Sequence, residues 1–283
     1  MIKLCAFSDE AAKSLPLQIK ALQENGIPYM ELRGIDGVNV SSFSESDARE
    51  YASLMKSEGI SVFSVGSPLG KVDIGCDFDA YLEVCRRVFH IAGIFETDKV
   101  RVFSFYNAFD KGPLVLERLN KMLDVADEYG VHLYHENEKN IYGDVPMRVK
   151  EIQKNLPDMK FVYDPANFIQ CGVLPSESIN ALVDSADYFH IKDALIKTGE
   201  LVPCGYGDGE IDRIFSRLNR DTVLTLEPHL KVFDGYAAVD KREMRNKFEF
   251  STNLEAFNFA ACALKESLIR CGYEDTGSGF EKI

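Results

Sequence analysis

Four short apolar runs in the second half of the chain each lead into a side chain able to ligate a metal. They are V-H-L-Y-H-E (131–136), F-V-Y-D (161–164), Y-F-H (188–190) and V-L-T-L-E (223–227). The ligand candidates at their ends are Glu136, Asp164, His190 and Glu227. An apolar run without a helical period reads as a strand buried on both faces, and its polar end as the point where it reaches a mouth. One such ending carries no weight. Four in order, separated by helical segments, mark a site on a shared rim.

The rest of the chain has the same grammar. Strands are expected at 2–7, 28–33, 60–65, 99–106, 131–138, 161–164, 188–192 and 223–226. Helices alternate with them at 15–25, 44–59, 77–92, 113–129, 145–155, 176–185, 209–217 and 252–272. Ser44 with Asp47 resembles a capping box, and Gly26, Gly59 and Gly130 stand where helices should stop. Eight strand–helix units in 283 residues are the arithmetic of a closed (β/α)8 TIM barrel, read here as one domain over 1–283. An open doubly wound sheet is the alternative, but nothing splits the chain and no G-x-G-x-x-G follows the first strand. The exception to the rhythm is 230–251, which carries Phe233, Tyr236, Phe248 and Phe250 among charges. A stretch that long after the last strand suggests a lid. Residues 273–283 read as a polar, frayed tail.

Charge narrows the partners. Lys and Arg total 32 against 45 Asp and Glu, a net charge of -13. Such a surface repels nucleic acid and acidic membranes, leaving a small carbohydrate or polyol as the expected partner, with homo-oligomerisation left open. The seven cysteines form no C-x-x-C pair, and no secretory signal or membrane-length apolar run is present. A reduced, cytoplasmic protein is the plain reading.

In a barrel the carboxyl ends of all strands meet at one mouth. Three carboxylates converging there without a cation would repel and raise one another's pKa. One divalent metal ion removes the conflict, and three oxygens with one imidazole suit Mn²⁺, Zn²⁺, Mg²⁺ or Fe²⁺. Singly, each residue has an ordinary alternative. Glu136 could pair with Lys139 or Arg148, Asp164 could cap a helix, and His190 could be a satisfied core histidine. Glu227 is harder to dismiss, because an unpaired carboxylate ending T-V-L-T-L is costly to bury.

The segments H-E-N-E-K-N-I-Y-G-D, V-Y-D-P-A-N-F, F-H-I-K-D, G-D-G-E-I-D and L-E-P-H carry a resemblance, joined earlier by M-E-L-R and G-S-P-L-G-K. Together they resemble the xylose-isomerase-like barrel family of sugar and sugar-phosphate isomerases and epimerases, over nearly the whole chain. The resemblance implies a divalent ion held by Glu136, Asp164, His190 and Glu227. It also implies that Glu136 and Glu227 serve as the acid/base pair on opposite faces of the substrate. The chemistry would be proton abstraction α to a carbonyl through a metal-stabilised enediolate. Return of the proton to the opposite face is epimerisation, and return to the adjacent carbon is isomerisation. Loss of a β-hydroxyl would make a keto-inositol or keto-sugar dehydratase.

One position departs from the family pattern. Many relatives carry His three residues after the Asp ligand, where this chain has Asn167, which can bond a hydroxyl but cannot shuttle protons. That substitution, the net charge and the placement of His90 and His132 away from the mouth weigh against a related endonuclease-type metal phosphodiesterase. A non-catalytic sugar-binding barrel is a further class. Arg33, Lys71, Asn167, Lys192 and His229 are the expected substrate contacts, with Glu31 beside Arg33 and Glu138 as an alternative ligand. Salt bridges offer Lys192, Arg33 and Lys71 a competing role. Phe7, Phe103, Phe105 and Tyr106 read as barrel core.

Overall fold

The computed structural model describes residues 1–233 and 248–283. Eight parallel strands close on themselves: β1 (Ile2–Ala6), β2 (Tyr29–Leu32), β3 (Ser61–Val65), β4 (Lys99–Val102), β5 (His132–Glu136), β6 (Lys160–Tyr163), β7 (Tyr188–Ile191) and β8 (Thr222–Leu226). Closure comes from β8 pairing with β1 in parallel register, Ile2 opposite Thr222 through Ala6 opposite Leu226. The expected TIM barrel is therefore the fold. Several strands are shorter than expected, because their polar ends leave the ladder to line the rim.

Helices cover the outside: α1 (Leu15–Glu24), α2 (Glu45–Ser57), α3 (Phe78–Ile94), α4 (Gly112–Glu128), α5 (Pro146–Asn155), α6 (Pro165–Gln170), α7 (Pro175–Leu182), α8 (Ile211–Arg217) and α9 (Asn253–Arg270). Ser44 caps α2 by accepting from the Asp47 amide at 3.1 Å, as the sequence suggested. Thr252 caps α9 in the same way. The short helix α6 was not expected. It starts directly off β6, because Pro165 presets its first turn and the Asp164 carboxylate caps the Asn167 amide at 2.9 Å.

Strand alternation sorts the side chains into two compartments. Outward-facing Leu4, Ala6, Val100, Leu133, Phe161, Phe189 and Leu224 join the main core under the helices. Inward-facing Cys5, Tyr134, Val162, Tyr188 and Val223 form a separate cluster inside the barrel, with Tyr29 and Phe63 against it. A register shift between β2 and β3 leaves Phe63 as the extra residue, so Met30 faces Val62 but Glu31 faces Ser64. Phe63 meets Tyr188 edge-on, with ring centroids 5.1 Å apart.

The C-terminal residues correct the expectation of a frayed tail. Tyr273–Asp275 and Phe280–Lys282 form an antiparallel hairpin, β9 and β10, and Phe280 pairs with Ile2 of β1. Two buried aromatics hold it: Phe280, and Tyr273, whose hydroxyl donates to the carbonyls of Phe215 and Leu218. Most of the expected lid, Tyr236 included, lies outside the described residues. All seven cysteines are free. Among the described residues, no helix is long and apolar enough to cross a membrane.

Candidate active site

Stepping two residues further along each strand turns the apolar interior into a charged one. Tyr134 is followed on its face by Glu136 and Glu138, Val162 by Asp164, and Tyr188 by His190 and Lys192. Val223 leads through Thr225 to Glu227 and His229, Tyr29 to Glu31 and Arg33, and Lys99 to Arg101. Glu136, Asp164, His190 and Glu227 are all buried, and each offers a ligand atom within 4.8 Å of the other three. His190 Nδ1 lies 3.1 Å from Glu136 Oε1 and 3.3 Å from Glu227 Oε2.

Two atoms of this quartet are buried without a hydrogen bond, His190 Nδ1 and Asp164 Oδ2. Asp164 Oδ2 is 2.8 Å from Lys192 Nζ, but in an ion-pair contact whose angle makes no hydrogen bond. Polar atoms this deep without a hydrogen bond are rare, and they converge where a cation would satisfy both. The mouth is dense in charge. Among the described residues, Asp9, Glu10, Glu31, Glu136, Glu138, Asp164 and Glu227 crowd it, seven carboxylates in all. Five cations face them: Arg33, Lys71, Arg101, Lys139 and Lys192. Three carboxylates and one imidazole are oxygen and nitrogen donors of the kind a divalent ion takes, so the donor set fits one.

The supporting shell fixes the orientation of each member. Glu31 accepts from Tyr188 at 2.9 Å and Thr225 at 2.9 Å, and its Oε2 lies 3.0 Å from His190 Nε2. That anchor leaves Nδ1 as the ring nitrogen facing the quartet. Asn137 bonds both ways with the Asp164 backbone, donating to its carbonyl at 2.8 Å and accepting from its amide at 2.9 Å. Asp193 accepts from the amides of Ala194, Gly205, Gly207 and Gly209, which folds the loop after β7 beside Lys192. A Cβ on Gly207 would stand 2.4 Å from that carboxylate. The G-D-G stretch is thereby accounted for.

Electrostatics separate the carboxylates. Burial raises the pKa of Glu136, but His190 and Arg101 more than offset it, so the group sits below the usual range. Glu227, buried but beside Lys192, sits well below. Asp164 moves the other way, to about 6, because burial outweighs Lys192. Burial also lifts Glu10 to about 8. Burial, then Lys192, pushes His229 well down, leaving it neutral.

The expected substrate contacts all lie at this mouth, each engaged with a carboxylate or with its neighbours. Arg33 holds Asp9 and Glu10 and reaches Glu227 Oε1 at 3.1 Å. Lys71 pairs with Glu138 at 2.9 Å, and Lys192 with Asp164 and Glu227. Asn167 donates to Glu136 at 3.2 Å and to the Asn137 carbonyl, while its Oδ1 is a third buried atom without a hydrogen bond. His229, on left-handed backbone (φ 46°), stacks on Phe233 and stands 3.4 Å from Glu227 Oε1. His90 pairs with Glu45 on the outer surface.

One reading changes and two gain detail. Glu31 anchors His190, its Oε2 3.0 Å from Nε2. Glu136 pairs with Arg101 at 2.5 Å, not with Lys139 or Arg148. Phe7 and Phe103 are buried as the core reading has them, but they stand outside the two apolar clusters, with the guanidiniums of Arg33 and Arg101 over Phe7, and Lys71 and Arg101 over Phe103. They floor the charged layer. Arg101 was missed outright, although an arginine alternating with valines in K-V-R-V is the signal of a charge pointing into a barrel.

Comparison with known proteins places this architecture. A family model described as xylose isomerase-like TIM barrel matches residues 19–244. No curated protein matches the chain in sequence. A solved D-psicose 3-epimerase, in the presence of D-fructose, superposes with a TM-score of 0.73 at 16% identity, over 95% of this chain and 99% of that one. The IOLI protein with a binding zinc atom gives 0.72 at 16%, over 95% and 98%. The probable 3-DHS dehydratase AsbF of petrobactin synthesis, from Bacillus anthracis, gives 0.70 at 17%, over 94% and 99%. Identities this low speak for the fold alone, but the family model spans most of the sequence, and the chain belongs to the xylose isomerase-like TIM barrel family.

Proposed function

We propose that the chain is a divalent-metal-dependent isomerase or epimerase of a sugar or sugar phosphate, with Glu136, Asp164, His190 and Glu227 as the ligands. The observation that carries the reading is the pair of glutamates flanking His190 Nδ1, a buried nitrogen that makes no hydrogen bond. An ion held by these four would draw electrons from a substrate carbonyl and its neighbouring hydroxyl, making the adjacent C–H acidic. Either glutamate, when ionised, can take that proton. For epimerisation the other glutamate, carrying a proton taken up from solvent, gives it to the opposite face; for isomerisation the glutamate that took the proton returns it to the neighbouring carbon. Asn167 Oδ1, a buried acceptor, orients a substrate hydroxyl. Lys192 and His229 complete the wall beside Glu227.

Dehydration of a keto-sugar or keto-inositol is the second reading, favoured by Lys192. Its ammonium, 3.2 Å from Glu227 Oε2, stands where a departing β-hydroxyl could be protonated. A phosphodiesterase is disfavoured. The additional ligand cluster at the mouth, Glu10, Glu227 and His229, already encloses the Arg33 guanidinium, which occupies the place a further metal would need.

The test is a panel of ketoses, keto-inositols and their phosphates in deuterated water, followed by proton NMR with Mn²⁺ present. Exchange of one carbon-bound proton, abolished by chelation and lowered about 10²- to 10⁴-fold in Glu136→Gln, supports the reading. Full exchange in that variant, or cleavage of abasic DNA without exchange, overturns it.

A further inference from the structure

Two buried arginines lie over one phenylalanine ring, and each reaches one of the paired glutamates. Arg33 NH1 lies 3.1 Å from Glu227 Oε1, and Arg101 NH1 lies 2.5 Å from Glu136 Oε2. Their guanidinium carbons sit 4.4 and 5.5 Å from the centre of the Phe7 ring. Phe7 in turn meets the His190 ring edge-on at 5.1 Å. The other oxygens, Glu136 Oε1 and Glu227 Oε2, are the ones that face His190 Nδ1. Each carboxylate thus has one oxygen tied back to an arginine and one presented to the ligand cluster.

We infer that Arg101 and Arg33 are positioning residues which limit each glutamate to one ligating oxygen. A carboxylate turning freely beside a divalent ion can bind through both oxygens, leaving neither for proton transfer. An oxygen that accepts one N–H still has a lone pair for a proton, so the arginine keeps it off the ion without disabling it. Phe7 packs against both guanidiniums, and Arg101 is held further by donating to the Ser67 carbonyl at 3.2 Å. The arms differ in load. Arg33 also holds Asp9 and Glu10, so its loss strands three carboxylates, two of them buried, whereas loss of Arg101 releases Glu136. Arg101 therefore gives the cleaner test.

The inference rests on the metal-dependent reading, and the experiment separates their failures. Wild type, Arg101→Met and Arg101→Lys are loaded with Mn²⁺, and three quantities are compared: the EPR spectrum of the bound ion, its Kd, and kcat and KM for solvent exchange. The expected result for Arg101→Met is a changed zero-field splitting, Mn²⁺ affinity equal or tighter, and kcat down about 10²-fold with KM within about threefold. Arg101→Lys, which keeps charge but lacks the fork, falls between, and it carries the test should the Met variant fail to fold. An unchanged spectrum and kcat, with only a lower Tm, would reduce Arg101 to a packing residue and overturn the inference. Wild type binding no Mn²⁺ would overturn the functional reading, and the inference with it.

Discussion

The interior of this barrel has two poles made by the same strands, and they differ by two residues of travel. Toward the amino ends, Cys5, Tyr134, Val162, Tyr188 and Val223 pack as an apolar plug. Toward the carboxyl ends the same faces carry seven carboxylates and five cations, nearly all buried. The first pole lowers free energy by removing apolar surface from water. The second concentrates charge above a dry floor, where electrostatic interactions are stronger than in water. One pole is built to hold the fold and the other to hold a ligand, and the boundary between them is one step of strand alternation.

That division can be broken from either side. The largest expected effect on stability is at the plug. Tyr134→Ala removes a buried aromatic and should cost about 3–5 kcal/mol in urea unfolding, while Mn²⁺ affinity stays within about twofold. A large loss of metal affinity with little loss of stability would erase the distinction.

Asp164→Asn should act in the opposite sense. The folded pKa of Asp164 is raised from 3.8 to about 6, so the folded state binds its proton more tightly than the unfolded chain does. Metal-free stability therefore falls as pH rises from about 4 to 6, and above that window the ionised group costs on the order of 3 kcal/mol. Removing the charge should raise metal-free stability at pH 8 by up to that order while destroying metal binding. Unfolding curves of the stripped protein at pH 4.5 and 8 check it, with the gain at the higher pH expected to be about three times that at the lower. The smallest effect belongs to the shared anchor. Thr225→Val removes one of the donors on Glu31, for about 1 kcal/mol of stability and about tenfold in metal affinity by titration.

The sequence made the charged pole easier to find than its support. Glu136, Asp164, His190 and Glu227 were legible because each ends an apolar run, and the barrel follows from the eight repeats. Arg101 and the anchoring role of Glu31 were harder to see. Both lie inside strands whose inward face is known only once the ladder is closed, and the extra residue Phe63 shifts β3 against β2 between Met30 and Glu31. Helix α6 escaped because six residues are too few to show a period. The C-terminal hairpin escaped because two aromatics among polar residues carry all of its anchoring.

The most direct test of the central claim is calorimetric titration of chelator-stripped protein with Mn²⁺, repeated on His190→Gln and Asp164→Asn. The account predicts one site per chain in the wild type and loss of that binding in both variants, with the fold retained by circular dichroism. Binding of equal affinity in all three proteins, or none in the wild type, would contradict it.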